Sequence, residues 1–143
     1  MKALSLAASI ALMLPPLYLA QDDSANIAER IVGTWHGTSI CVDQETDRAC
    51  KDEEVIYVFE QPGYRKDSVV LKASKIVNGA PVPMYEATFT YAPATKTWNS
   101  EFKTRIHGRW SYQVTDSVMH GTLVELPSGR LARRVLVRRI ISQ

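Results

Sequence analysis

The sequence predicts an all-β protein, an eight-stranded antiparallel up-and-down barrel preceded by one short helical turn. Three observations lead to this class. Past Gly33 no apolar pattern long enough for a helix repeats at the 3.6-residue period, alternating and β-branched runs recur along the chain, and turn residues separate those runs. The 143 residues are 45% apolar and 22% charged, which describes one globular domain rather than a disordered or collagenous chain. With 17 Lys and Arg against 15 Asp and Glu, the net charge of +2 gives no footprint of a nucleic-acid binder.

Residues 1–20 read as a signal peptide. Met1 and Lys2 provide a positive start, and Ala3–Leu14 form a largely apolar run that Pro15 and Pro16 interrupt. Such a run is too short for a bilayer core, which needs about 20 residues, and has the length of a secretory h-region. Cleavage is expected after Ala20. Tyr18 stands three residues before the cut, where a small side chain is usual, so an uncleaved anchor is the alternative. The domain is then 21–143, secreted or periplasmic, with no transmembrane segment after cleavage.

In residues 21–32, Ile27, Ala28, Ile31 and Val32 stand at helical spacing, with Asp23 or Ser24 as N-cap, and predict a single helical turn. The predicted strands are Gly33–Cys41, Glu53–Glu60, Asp67–Val77, Val82–Tyr91, Thr97–Lys103, His107–Val114, Ser117–Leu126 and Arg130–Ile141. Asn78-Gly79 is the strongest hairpin signal. Thr115-Asp116 and Pro127-Ser128-Gly129 mark further turns, and Gln61-Pro62-Gly63 and Pro93-Ala94-Thr95 separate their neighbours. The weakest break is Thr104–Ile106, whose loss would reduce the count to seven. Short links in succession make chain neighbours antiparallel partners, and closing the meander removes its edges.

Alternation assigns an inner face. It gathers Tyr85, Ala87, Phe89 and Tyr91 on the fourth strand and Trp98, Ser100 and Phe102 on the fifth. On the sixth it gathers Ile106, Gly108, Trp110, Tyr112 and Val114. A barrel of this size is filled by side chains or holds one small ligand. Gly37, Ala73, Ala87 and Gly108 leave room that the rings are able to occupy.

Cys41 and Cys50 are the only cysteines, and DQETDRA between them is polar and turn-like. In an oxidising compartment they are expected to form a structural disulfide. The last strand carries Arg130, Arg133, Arg134, Arg138 and Arg139. Adjacent pairs put one arginine on each face, and an inward head needs an aromatic face, an acceptor or an anionic ligand. Residues 21–60 contain ten acids against three bases, and residues 61–143 thirteen bases against five acids. Closure would set these halves side by side for mutual neutralisation; the alternative is a basic face toward a protein or an anionic surface.

The opening IVGTW, Ile31–Trp35, after a helical turn and before an arginine-bearing last strand, resembles the lipocalin-like (calycin) proteins. That resemblance implies that Gly33 and Trp35 sit near the closed barrel end, with Arg138 or Arg139 packed over the tryptophan. GTWHGTSIC, CKDEEVIYVFE, KIVNGAPVPM and RRVLVRRI also resemble small exported bacterial proteins of this shape whose function is uncharacterised. Avidin-like and nitrobindin-like haem-binding barrels open with a G-T-W as well.

Catalytic chemistry finds little support. His36, His107 and His120 lack metal-site spacing; His36 and His107 are expected outward, and His120 inward with Val118, Thr122 and Val124. Asp43, Glu45, Asp47 and Glu54 echo a calcium loop, but Arg48 occupies the glycine position and no helices flank it. No nucleophile motif or phosphate loop occurs. The expectation is a non-enzyme with no cofactor or metal, which binds a small apolar or amphipathic ligand. Tyr85, Phe89, Tyr91, Trp98, Phe102, Trp110 and Tyr112 would line the lumen, and Ser39, Ser100 and Thr122 would orient the ligand. The mouth is expected at the Cys41–Cys50 end. The alternative is a filled barrel acting as a protein-interaction module, an envelope protein or inhibitor, through its loops and Arg-rich strand.

Overall fold

The computed structural model describes residues 27–63 and 65–142. The signal peptide expected at 1–20, and Asp23 and Ser24, lie outside them. A 3-10 turn, Ala28–Arg30, has Ile27 at its N-cap position and buries Ala28. Eight strands follow: β1 (Gly33–Cys41), β2 (Glu53–Glu60), β3 (Ser68–Val77), β4 (Ala80–Ala92), β5 (Thr97–Lys103), β6 (His107–Thr115), β7 (Val118–Glu125) and β8 (Arg130–Arg139). They close into one antiparallel barrel in chain order. The sequence therefore anticipates all eight, with ends shifted by one or two residues.

Turn chemistry explains why the meander is legible. Asn78 and Gly79 have φ of 52° and 78°, the paired left-handed values of a two-residue hairpin turn whose twist suits the flanking strands. Thr104–Ile106 does interrupt the chain between β5 and β6: the Thr104 N–H donates to the Ile106 carbonyl at 2.9 Å. Ile106 is consequently 46% exposed and does not belong to the inner face to which alternation assigned it.

Closure comes from β1 against β8, in register from Trp35 opposite Arg139 to Cys41 opposite Arg133. This juxtaposes the acidic first part of the chain and the basic last part. Glu53 meets Arg133 at 3.4 Å and Lys75 at 4.0 Å, while Glu60 pairs with Lys72 at 2.8 Å. Arg130 pairs with Glu125 and also feels the field of Asp43 and Asp47.

Inside, the core is aromatic. Phe59 lies edge-on to Phe89 and to Tyr112, each at 5.9 Å, and Tyr57 lies edge-on to Tyr112 at 6.0 Å. Rings also fill the space left by small residues. A Cβ on Gly121 would collide with the Tyr112 ring, and one on Gly108 would lie 2.6 Å from that of Phe102. The middle of the barrel is solid, with Phe89, Tyr112 and Val137 fully buried.

Candidate functional site

The two ends of the barrel differ. At one, Trp35 is fully buried and donates its indole N–H to the Ile31 carbonyl at 2.8 Å. The Arg139 guanidinium lies 4.3 Å from the Trp35 ring centre and donates to the carbonyls of Val32 and Arg30. Gly33 is required beneath it: its φ is 127°, and a Cβ there would stand 2.7 Å from the guanidinium nitrogen. Of the two arginines that the resemblance put over the tryptophan, Arg139 takes the position and Arg138 points to solvent. This end is a closed plug.

At the other end, β8 turns Arg133 inward. Its Nε donates to Ser39 Oγ at 2.9 Å, and its Nη2 donates to the carbonyls of Ser39 at 3.0 Å and Lys51 at 2.8 Å. Its Nη1 lies 3.2 Å from Cys50 Sγ, within the Cys41–Cys50 disulfide that the sequence predicts. Arg133 thus fastens the disulfide loop to the barrel rim, with Glu53 as counter-ion. The polar side chain of Ser39 is engaged with it rather than facing an open lumen.

Across the barrel from this clamp, β4 and β5 separate. They pair only at Thr90–Asn99, Tyr91–Trp98 and Ala92–Thr97, although both strands continue toward the rim. The same register extended would place Ala87 opposite Phe102, and no such pair forms. An opening of about 380 Å³ results, lined by Tyr85, Glu86, Ala87, Ser100, Phe102, Thr104 and Trp110. That size falls within the range of small-molecule sites, and rings and methyl groups make most of its wall. It lies at the expected end of the barrel, but between β4 and β5 rather than under the disulfide loop.

The inner wall of the opening continues into a group of phenols. Tyr85 and Tyr112 each lie near-parallel to Trp110, at 6.2 Å and 17° and at 6.0 Å and 5°. The hydroxyls of Tyr85 and Tyr112 are buried and make no full hydrogen bond to the protein, although they and the Tyr57 hydroxyl lie close enough to act on one another. Burial is the first cause that raises both phenols well above the ordinary value of 10.0, and the proximity of Tyr57 adds to it. Tyr57 is itself raised by burial. All three remain protonated donors through the physiological range.

The residues expected to share one lumen therefore divide among several places. Tyr85, Ser100, Phe102 and Trp110 meet at the opening. Phe89 and Tyr112 belong to the packed middle, and Trp98 is buried against Tyr91 toward the plugged end. Thr122 faces outward, because β7 turns Met119, Gly121 and Leu123 inward, and His120 is exposed on the same outer side. Tyr57, Glu86 and Thr104 were missed as contributors, while Ala87 was named on the inner face only as leaving room. The alternation of Val55, Tyr57 and Phe59 on β2 was the available signal for Tyr57.

The five arginines of β8 do not form one basic face. Arg133 and Arg139 are turned inward and engaged, Arg130 is paired with Glu125, and Arg134 and Arg138 remain outward. His36 and His107 contact Glu54 and Glu101, and among the described residues no group of three metal-ligating side chains occurs. Of the calcium-like carboxylates, Asp43 caps the Thr46 N–H at 3.0 Å and Glu54 meets His36, while Asp52 beside them accepts from the Cys41 N–H at 2.8 Å. A larger hollow of about 580 Å³ at the plugged end is lined by Ile27, Arg30, Lys66, Asp67, Tyr91, Pro93 and Lys96.

No family model matches the chain, and no curated protein matches it. Solved structures do. The siderocalin Ex-FABP, described as functioning through dual ligand specificities, has a TM-score of 0.53 at 16% identity, over 79% of this chain and 77% of that one. A fatty acid transporter, REP1-NXSQ, has a TM-score of 0.50 at 14% identity, over 80% of this chain and 99% of that one. At these identities the likeness establishes the fold alone, an eight-stranded antiparallel barrel like those of these proteins.

Proposed function

We propose that the protein is a secreted or periplasmic, non-enzymatic binder of a small hydrophobic or amphipathic ligand, held where β4 and β5 part. The observation that carries this reading is the opening itself. The sheet forgoes backbone pairing beside Tyr85, Ala87, Phe102 and Trp110, which leaves apolar wall facing a space of about 380 Å³. The fold likeness to ligand-carrying barrels supports a binding role in general. Binding here means burial of ligand surface against rings, with affinity set by the apolar area removed from water.

Ser100 and Thr104 are the neutral polar side chains at the rim, and Glu86 is the charged one. The lower barrel takes no part, because its rings already fill it.

The test uses the neutral fluorescent probe N-phenylnaphthylamine with the full protein. Phe102→Ala and Trp110→Ala are expected to weaken its binding about tenfold or more, the order expected when a large ring contact is lost. Thr122→Ala, on the outer face, is expected to leave it unchanged. Undiminished binding by both ring variants would refute the site. Native mass spectrometry of protein from its exported fraction then identifies any retained ligand and reports whether cleavage follows Ala20.

A further inference from the structure

Buried hydroxyls without partners are costly in a folded protein, since each has given up its hydrogen bonds to water. Here two of them belong to Tyr85 and Tyr112, whose rings both stack on that of Trp110, a lining residue of the β4–β5 opening as Tyr85 is itself. Tyr57 adds a third phenol on the adjoining face, edge-on to Tyr112. A core need not carry these oxygens. Phenylalanine would fill the same volume with no unsatisfied donor, as Phe59 and Phe89 do one layer away.

We propose that Tyr85 and Tyr112, with Tyr57 beside them, form the polar end of the ligand site and donate hydrogen bonds to a neutral acceptor oxygen, the carbonyl of an ester, ketone or amide on an apolar chain. This rests on the β4–β5 opening being the ligand site and adds the chemical class of the ligand. The phenols are donors because burial keeps them protonated. Neutrality follows from the surrounding charges. No basic residue lines the opening, and its one charged residue, Glu86, would repel a carboxylate. The nearest inward cation, Arg133, is already taken up by Ser39, Lys51, the disulfide sulfurs and Glu53. An ionised ligand head would thus be buried without a free counter-ion, whereas an ester carbonyl needs only donors.

The test is competition against N-phenylnaphthylamine by methyl decanoate and by decanoate at pH 8, with the full-length mature protein and its Tyr85→Phe and Tyr112→Phe variants. Methyl decanoate is expected to compete about tenfold better than the ionised acid. Each Phe variant is expected to lose about fivefold to tenfold of the ester affinity, the effect of one hydrogen bond, while the melting temperature holds or rises. The proposal is overturned by a preference for decanoate, or by unchanged ester affinity in both variants. It is also overturned by a lower melting temperature in both, which would mark the hydroxyls as bonded to buried water for stability alone. Each of these outcomes leaves the site standing if Phe102→Ala still weakens probe binding about tenfold or more; loss of the site itself would show in that variant first.

Discussion

The Trp35 end and the Tyr85–Trp110 end are built from the same kinds of residue, an indole, inward polar groups and an inward arginine of β8, yet they are finished differently. At the Trp35 end every named polar atom has a partner: the indole N–H has the Ile31 carbonyl, and Arg139 has two carbonyls and a ring face. At the other end the arginine is bonded to the disulfide loop, but the Tyr85 and Tyr112 hydroxyls make no full hydrogen bond and have only one another and Tyr57 nearby, and the sheet beside them opens. On the proposed reading, the difference separates stability from function. A plug is stabilised by complete satisfaction of its groups, whereas a binding site holds back part of that satisfaction for its ligand.

Mutation of the plug should break this contrast most severely. Trp35→Ala removes a fully buried indole and strands the Arg139 guanidinium, and is expected to cost about 3–5 kcal/mol in stability by denaturant titration. Loss of the disulfide through Cys41→Ser with Cys50→Ser is smaller, about 2–3 kcal/mol, because the loop closed is short. The same double variant should leave N-phenylnaphthylamine binding near that of the wild type, since the clamp and the opening lie on different strands.

A pH titration sharpens the comparison further. The Tyr85 and Tyr112 phenols are raised above 10.0 in the fold, chiefly by burial. Above pH 10 the unfolded chain therefore loses protons that the folded chain keeps, and stability falls as pH rises through that value. Tyrosinate absorbance should appear for these residues only together with unfolding. In Tyr85→Phe with Tyr112→Phe the alkaline loss of stability should be shallower. The smallest effect belongs to Asp43, lowered by its hydrogen bonds to Thr46, whose contribution is present above the ordinary carboxylate value of 3.8 and lost as pH falls below it. It should register only as loosening of the Cys41–Cys50 loop in amide exchange.

The strands were legible because their ends carry turn chemistry: Asn78-Gly79 admits one geometry, and the Pro127–Gly129 segment punctuates β7 and β8. Faces were legible only where alternation is clean. On β6, Trp110 and Tyr112 alternate with Arg109, Ser111 and Gln113, and the inner assignment holds. On β7, Val118 and Val124 on one side compete with Met119 and Leu123 on the other, so apolarity alone does not choose, and Thr122 and His120 were placed on the wrong side.

The site was less legible than the fold for a related reason. Alternation names every inward ring on an equal footing, but whether a ring borders space depends on where neighbouring strands stop pairing. Nothing in the residues from Ala87 to Phe102 announces that the β4–β5 ladder ends after Thr90 and Asn99. Likewise the two adjacent arginine pairs of β8 show that one member of each points inward, and only the register with β1 shows that Arg133 meets Ser39 while Arg139 meets Trp35.

The most direct test of the central claim reads both ends at once. The three tryptophan indole N–H groups give three resolvable signals in a nitrogen-edited NMR spectrum, and methyl decanoate can be titrated against them. If the ligand occupies the β4–β5 opening, the Trp110 signal shifts progressively, while that of Trp35, bonded to the Ile31 carbonyl, stays in place. A shift of the Trp35 signal with Trp110 unmoved would put the ligand at the plugged end and contradict the account.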